Sequence, residues 1–272
     1  MARKMWRTLE PYHGFIYFAP EAEAAYERLG VTGRDGYFAS RVAAMGAVPA
    51  EVVIATFYNF NPVVIRPAFP RAWEVTSPAE LVDARFAAAD AALRRALGAA
   101  LEGPEVTQAA ALARIAAESC TLEGRPLFAA HAGLTWPTAP HLVLWHASTL
   151  LREFRGDGHL AVLLDAELRG IDALVMHAAS GDVPRGVLQT SRAWSDDDWR
   201  GSVARLSARG LVDHDGALTR AGAALRQHVE DRTDALALSP WLALGPAGCD
   251  ELRSIVRPLS RTIVESGTFG AR

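Results

Sequence analysis

Ser195-Asp196-Asp197-Asp198-Trp199, Val203-Ala204-Arg205-Leu206-Ser207-Ala208-Arg209-Gly210-Leu211-Val212-Asp213, Gly216-Ala217-Leu218-Thr219 and Ala221-Gly222 follow one another in the stretch that decides how the chain is read. Gly210 predicts a left-handed helix stop, and Asp215-Gly216 predicts a two-residue hairpin turn between short strands. Ala221 to Arg232 predicts a helix. The expected unit is helix, strand, tight turn, strand, long exit helix.

Over residues 185–235 this order resembles the end of a winged-helix domain of the MarR type, with Leu206, Arg209, Gly210, Leu211 and Val212 as its turn into the wing. The whole chain also resembles an actinobacterial family described only as helix-turn-helix proteins. The resemblance implies a DNA-binding type of module and a ligand-responsive transcription regulator.

Short words recur in order on either side of this region. Tyr26-Glu27-Arg28-Leu29-Gly30 is answered by Arg152-Glu153-Phe154-Arg155-Gly156, and Asp35-Gly36 by Asp157-Gly158. Asn61-Pro62 is answered by Val183-Pro184, Arg71-Ala72-Trp73 by Arg192-Ala193-Trp194, Ala91-Ala92-Leu93-Arg94 by Ala223-Ala224-Leu225-Arg226, and Arg125-Pro126-Leu127 by Arg257-Pro258-Leu259. A near-constant offset predicts a tandem duplication. The expected fold is mostly α: a first winged-helix-like repeat over 1–133 that lost its wing, and a second over 134–272 with a β-hairpin wing near 210–220.

Composition agrees with a helical protein. The Ala-rich stretches 84–118 and 221–230 favour helix, and 272 residues suit one large or two ordinary domains. No run of 18 uncharged apolar residues suits a membrane span, and the N-terminus lacks the apolar segment of a secretion signal. Two distant cysteines, Cys120 and Cys249, are expected as free thiols in a reducing compartment. A cytoplasmic monomer or homodimer is the expectation.

Charge argues against DNA as a partner. Duplex binding draws on Lys and Arg, yet the formal net charge is −3 and Lys4 is the single lysine. The would-be recognition helix opens on Asp196, Asp197 and Asp198, where such helices meet base edges beside phosphates. Arg200, Arg205 and Arg209 offset this in part.

Attention then passes to a cleft between the two repeats, the usual kind of place for a small ligand. One candidate lining is Phe57-Tyr58-Asn59-Phe60-Asn61, where rings alternate with amides that suit a flat, partly aromatic molecule; the alternative is a helix end that fills core and satisfies free carbonyls. Arg41 and Met45 precede it, and Arg41 requires an anionic partner, Glu51 or a ligand carboxylate. The second lining is histidine-rich: His131, His141, His146, His159 and His177 fall within 47 residues. Trp145, His146 and Thr149 share a helix, with His146 on its apolar side, and His177 follows. His146 reads as a buried core histidine, as a haem ligand, or as a general base oriented by Glu153. His159 beside Asp157 offers a second pair or haem ligand, and Asp157 reads as a helix cap. His141 and His146 are five residues apart, a spacing that does not converge on one metal.

No hydrolase elbow, phosphate loop or dinucleotide fingerprint occurs. Three functions remain: a binder of a small, partly aromatic molecule, placed first; a MarR-like ligand-responsive regulator; and an enzyme, haem-dependent or cofactor-free, using a pocket histidine.

Overall fold

Proline and small polar residues set where the helices begin. Pro20, Pro78, Pro104, Pro126 and Pro140 each open a helix, at the position where the missing N–H costs nothing. Ser77 with Glu80 and Ser195 with Asp198 close reciprocal capping boxes. In the computed structural model, which describes residues 1–269, fourteen α-helices result among the described residues. They are α1 (Ala2–Gly14), α2 (Pro20–Glu27), α3 (Gly33–Val42), α4 (Ala50–Phe57), α5 (Arg71–Val75), α6 (Pro78–Leu97), α7 (Pro104–Glu118), α8 (Pro126–Ala132), α9 (Pro140–Asp165), α10 (Gly170–Ala179), α11 (Arg185–Arg192), α12 (Asp196–Ala208), α13 (Arg220–Leu236) and α14 (Ser239–Glu265). α14 breaks at Gly245, whose φ is 75°.

The 26-residue α9 is the axis of the molecule. It packs on α1, α7, α8 and α13, while α14 returns to cover α1 and α7. Two apolar clusters form along it. The larger takes residues from Ala2 to Phe154 and from Ala237 to Ile263, with Leu144, Trp145 and Leu150 of α9 inside it. The smaller runs from Val162 to Val229 and holds α10, α11 and α12 together through Leu174, Leu188, Trp199 and Leu206. The larger cluster draws on both sides of 133/134, the boundary expected from the repeat.

The fold is mostly helical, as expected, but the wing is not a hairpin. No strand forms among the described residues; one antiparallel bridge joins Val212 to Leu218. Chain length explains this. Gly210 ends α12 with a φ of 68°, and Thr219 already caps α13 by accepting from the Gly222 N–H. Only two residues flank each side of the loop. The Asp213 carboxylate then gathers the N–H groups of Asp215 and Ala217, rounding the loop into a compact knot instead of a two-residue turn.

The repeated words also occupy unlike places, so the duplication is not visible in the fold. Gly30 sits in a turn with φ 80°, whereas its counterpart Gly156 lies inside α9. Asp35-Gly36 opens α3, but Asp157-Gly158 is mid-helix; Pro126 starts α8, but Pro258 is inside α14. Only the Ala-Ala-Leu-Arg words share a helical interior, in α6 and α13. Such words recur because an Arg- and Ala-rich helical sequence has few alternatives.

Two glycines mark close backbone approaches. A Cβ on Gly170 would overlap the Tyr58 carbonyl, and one on Gly222 the Leu211 carbonyl. Backbone cannot yield as a side chain does, so Gly170→Ala and Gly222→Ala are each expected to cost about 2–3 kcal/mol. Gly186→Ala, in open space within α11, is expected to gain about 0.5–1 kcal/mol. Urea midpoints of the three variants check the contrast.

Candidate functional site

The interior between α1, α3, α6, α8 and α9 is unusually polar. Helical periodicity puts the groups there: Leu81, Arg85, Ala88 and Ala89 form the buried stripe of α6, and Leu9, Tyr12 and His13 that of α1. Arg41 of α3 donates to Glu153 of α9 at 3.1 Å and to the Tyr37 hydroxyl at 2.8 Å, and its guanidinium lies 4.4 Å from the centre of the Phe57 ring. Arg152 takes the other Glu153 oxygen at 2.8 Å. Both Arg41 and Glu153 are buried.

A hydrogen-bond chain crosses the same space. The Thr149 hydroxyl donates to the Trp145 carbonyl at 3.1 Å, so it accepts from His13 Nδ1–H, also at 3.1 Å. That tautomer leaves His13 Nε2 to accept from the Tyr17 hydroxyl at 2.9 Å. Arg85 Nη2 donates to the Tyr17 oxygen at 3.4 Å. Arg85 then runs out of partners: its Nη1 is buried without a hydrogen bond, as is His146 Nε2. Both residues line one small void of about 10 Å³, with Ser40, Val82, Phe86, His131, Trp145 and Thr149 among its walls.

Burial and the guanidiniums set the protonation states. Burial alone would raise the Glu153 carboxyl; Arg152 and then Arg41 outweigh it and hold the group well below the usual carboxylate range. His131 is pushed down to about 4 by burial and by Arg85, and His146 to about 3 by burial, then His131 and Arg85. His13 falls well below its ordinary value for the same reason, burial first and Arg152 second. All three imidazoles are neutral at pH 7.

The expected site residues divide into two groups. Trp145, His146 and Thr149 come together at the void, and Arg41 lies next to it, answered by Glu153 and not by Glu51, which faces Arg66 on the surface. Of the Phe57–Asn61 stretch, Phe57 packs on Arg41 while Tyr58, Asn59 and Asn61 are tied to other backbone groups. The Tyr58 hydroxyl donates to the Leu168 carbonyl at 2.6 Å, the Asn61 N–H to the Arg192 carbonyl at 3.0 Å, and Asn61 Nδ2 to the Ala193 carbonyl at 3.1 Å; Trp194 Nε1 donates to the Asn59 carbonyl at 2.9 Å. These amides cap the end of α11 and strap α4 to the α10–α12 module. Met45 packs against the larger apolar cluster, and His177 ends α10, half-buried.

The acid–base pairs expected at His146 and His159 are not formed. Glu153 is consumed by Arg41 and Arg152. His159 Nδ1 lies 2.9 Å from the Thr233 hydroxyl, while Asp157, mid-helix and not the cap of its own helix, accepts the Phe128 N–H at 2.9 Å and so caps α8. Haem does not fit at His146. His146 is wedged between the Trp136 and Phe86 rings, at 4.7 and 5.5 Å, and the void beside it is water-sized. His141 pairs with Asp90 at 2.5 Å, and no metal-holding group of His, Cys, Asp or Glu exists among the described residues. Sequence reading passed over Arg85, His13 and Tyr17. Arg85 was detectable as the one charged residue on the buried stripe of α6.

The arginines in and just after α12 are each engaged within the protein, Arg205 inward and Arg200 and Arg209 at the surface. Arg205 Nη2 lies 2.8 Å from the buried Asp172, which also accepts the Ser202 hydroxyl at 2.6 Å. Arg209 donates to the Ala166 and Glu167 carbonyls at 3.0 and 2.8 Å, and Arg200 pairs with Asp197. Asp196, Asp197 and Asp198 remain exposed.

Acid sensitivity follows from the interior. A histidine whose folded pKa is depressed is stabilising above its unfolded value of 6.5, and that stability drains as pH falls toward the folded pKa. For His131 the window is pH 6.5 to about 4, worth up to about 3 kcal/mol. Glu153, also depressed, adds a second loss below its unfolded value of 4.5. Urea midpoints from pH 7.5 to 4 are expected to fall steeply, and His131→Asn to flatten the slope. Glu153→Gln strands Arg41 and is expected to cost about 3–5 kcal/mol at pH 7; a smaller cost would show that Arg41 finds another acceptor.

Comparison with known families matches residues 2–270 to the model of a helix-turn-helix family. No curated protein and no solved structure matches the chain. No single helix among the described residues is long and apolar enough to cross a membrane. With nearly its whole length matched, the chain belongs to the helix-turn-helix family.

Proposed function

We propose that the protein binds a small, partly aromatic molecule in the polar interior between α3, α6, α8 and α9, and that its helix-turn-helix module serves other ends than reading DNA. The observation that carries the reading is the pair of unpartnered buried donors, Arg85 and His146, on one void. A buried polar group left without a partner costs about 1–3 kcal/mol, and two on one void indicate an occupant. Val82, Phe86, Leu134 and Trp145 supply the apolar wall that a flat molecule requires. The void as it stands holds one water, so a larger ligand enters by displacing side chains, of which half-buried Val82 and Leu134 are the least constrained.

Saturation-transfer NMR with indole and benzoate as probes is expected to show binding of at least one. Val82→Phe, which fills the void from a half-buried position, is expected to abolish it. Bare protein by native mass spectrometry, together with no transfer to either probe, overturns the reading.

The MarR-like regulator remains the second reading. The family match favours it, as does the order α11, α12, bridged loop, α13. Against it, residues 168–222 hold seven arginines and seven aspartates with no lysine, where phosphate contact demands a positive excess. Selection from a pool of random duplexes at near-physiological salt is expected to enrich no sequence. An enriched motif whose binding is lost in Arg200→Ala would install the regulator instead.

A further inference from the structure

We infer that the void at Arg85 and His146 takes a single negative charge, either a free monovalent anion or the carboxylate head of an organic acid. The inference rests on the small-molecule reading of the same chamber and names the charge of its occupant.

The charges of the interior do not balance without one. Arg41 is answered by Glu153, and Arg152, which takes the second Glu153 oxygen, is partly exposed and also faces the Glu10 carboxyl. Arg85, 3% exposed, has no carboxylate in ion-pair range among the described residues. Its surroundings are the neutral Tyr17 hydroxyl and the faces of Tyr17 and Trp145, at 5.5 and 5.2 Å from the guanidinium. Ring faces soften a buried cation without neutralising it. A lysine placed there would shed its proton; an arginine cannot.

The donors match an anion in number and kind. Arg85 Nη1 carries two hydrogens with no acceptor. His146 Nε2 is likewise without a partner, and in the tautomer that carries its proton there the neutral ring donates it. The other polar groups at the void are committed: Thr149 to the Trp145 carbonyl, Ser40 to the Tyr37 carbonyl and His131 Nε2 to the Arg41 carbonyl. A water would accept these hydrogen bonds and leave the charge uncompensated. A dianion would need a second free cation, and Arg41 already has its carboxylate.

Bromide is the probe for the free ion, because it is a compact monovalent anion that scatters anomalously, and it enters with the same side-chain displacement that a larger ligand requires. Crystals soaked in bromide are expected to show an anomalous peak between Arg85 and His146. In solution, bromide is expected to raise Tm relative to gluconate at equal ionic strength, since a ligand that binds only the folded state stabilises it. Arg85→Met is expected to lose both effects. Should Arg85→Met fail to fold, His146→Phe removes one donor and fills the void, and the wild-type peak decides on its own. Absence of the peak with equal Tm in the two salts overturns the inference for a free ion. A peak that persists in Arg85→Met marks an adventitious ion only and also overturns it.

Benzoate against benzamide tests the carboxylate head, with benzoate expected to bind at least about tenfold more tightly. Equal binding of the two leaves the chamber a ligand site and refutes its charge. Bromide at Arg85 with neither aromatic bound keeps the anion site and refutes the small-molecule reading.

Discussion

Glu153 is a carboxylate sealed inside a helical protein and claimed by two guanidiniums, and the arrangement of the interior depends on its staying ionised. A buried ion pair gains little net stability over an apolar pair of the same shape, because desolvation offsets most of the attraction. What it does gain is geometry. Arg41 reaches Glu153 only if α3 lies against α9 at one depth and one rotation, and Phe57 and Tyr37 then pack against that same guanidinium. The neutral state of His13 and His131 follows from burial beside these cations. Arg85, in the same interior, has no carboxylate partner among the described residues.

The α10–α12 module is strapped to the segment after α4 by backbone groups, besides its packing on α9 and α13. Tyr58, at a φ of 32°, turns the chain so that Asn59 and Asn61 present amides and carbonyls to the end of α11. Ala193 adopts the left-handed conformation there, with a φ of 59°, freeing the carbonyls that Asn61 caps. Inside the module, Asp172 binds Arg205 and Ser202 of α12 to α10. An arginine that would meet phosphate in a DNA reader is here part of the module's own core edge. The acidic opening of α12 fits the same account: Ser195 and Asp198 form a cap, and Asp197 holds Arg200.

Much of this was legible in the sequence, for local reasons. Gly210 as a stop, the exit helix after Ala221, the helical stretches rich in alanine and the buried face of His146 all depend on residues within a turn or two of each other. Long-range partners were not legible. Nothing near Arg41 in sequence indicates that its carboxylate lies 112 positions away, and Asp157 could not be known to cap α8, the helix before its own. At Phe57–Asn61 the alternative reading, a helix end that satisfies free carbonyls, is the one whose contacts are seen, but those carbonyls belong to residues 192 and 193. The repeated words misled because matching composition in helices creates matching words, while the turns between them carry the topology. The wing failed because pattern alone does not reveal that Gly210 and Thr219 leave too few residues for two strands.

The same helix that holds His146 and Glu153 at one end enters the smaller cluster at the other through Val162 and Leu163. At 1.5 Å per residue, His146 and Val162 stand about 24 Å apart on a continuous rod. Gly156 and Gly158 interrupt its side chains between them, and Arg125 fills the space at Gly158, donating to the Phe154 carbonyl and, at 2.8 Å, to the Leu236 carbonyl at the end of α13. One guanidinium thus joins α8, α9 and α13 at the junction of the two clusters. Asp157 fastens α8 to the same point through Phe128. A change at the void moves α8 through His131 or α9 through His146, and both helices meet at Arg125 before either reaches the helix-turn-helix module. The second route, from Arg41 through Phe57 to the strap, ends on the carbonyls of α11. Mechanical continuity between the chamber and the module runs along α9 itself into Val162 and Leu163, with Arg125 and Asn61 as two further ties beside the Arg155–Asp234 and His159–Thr233 contacts to α13.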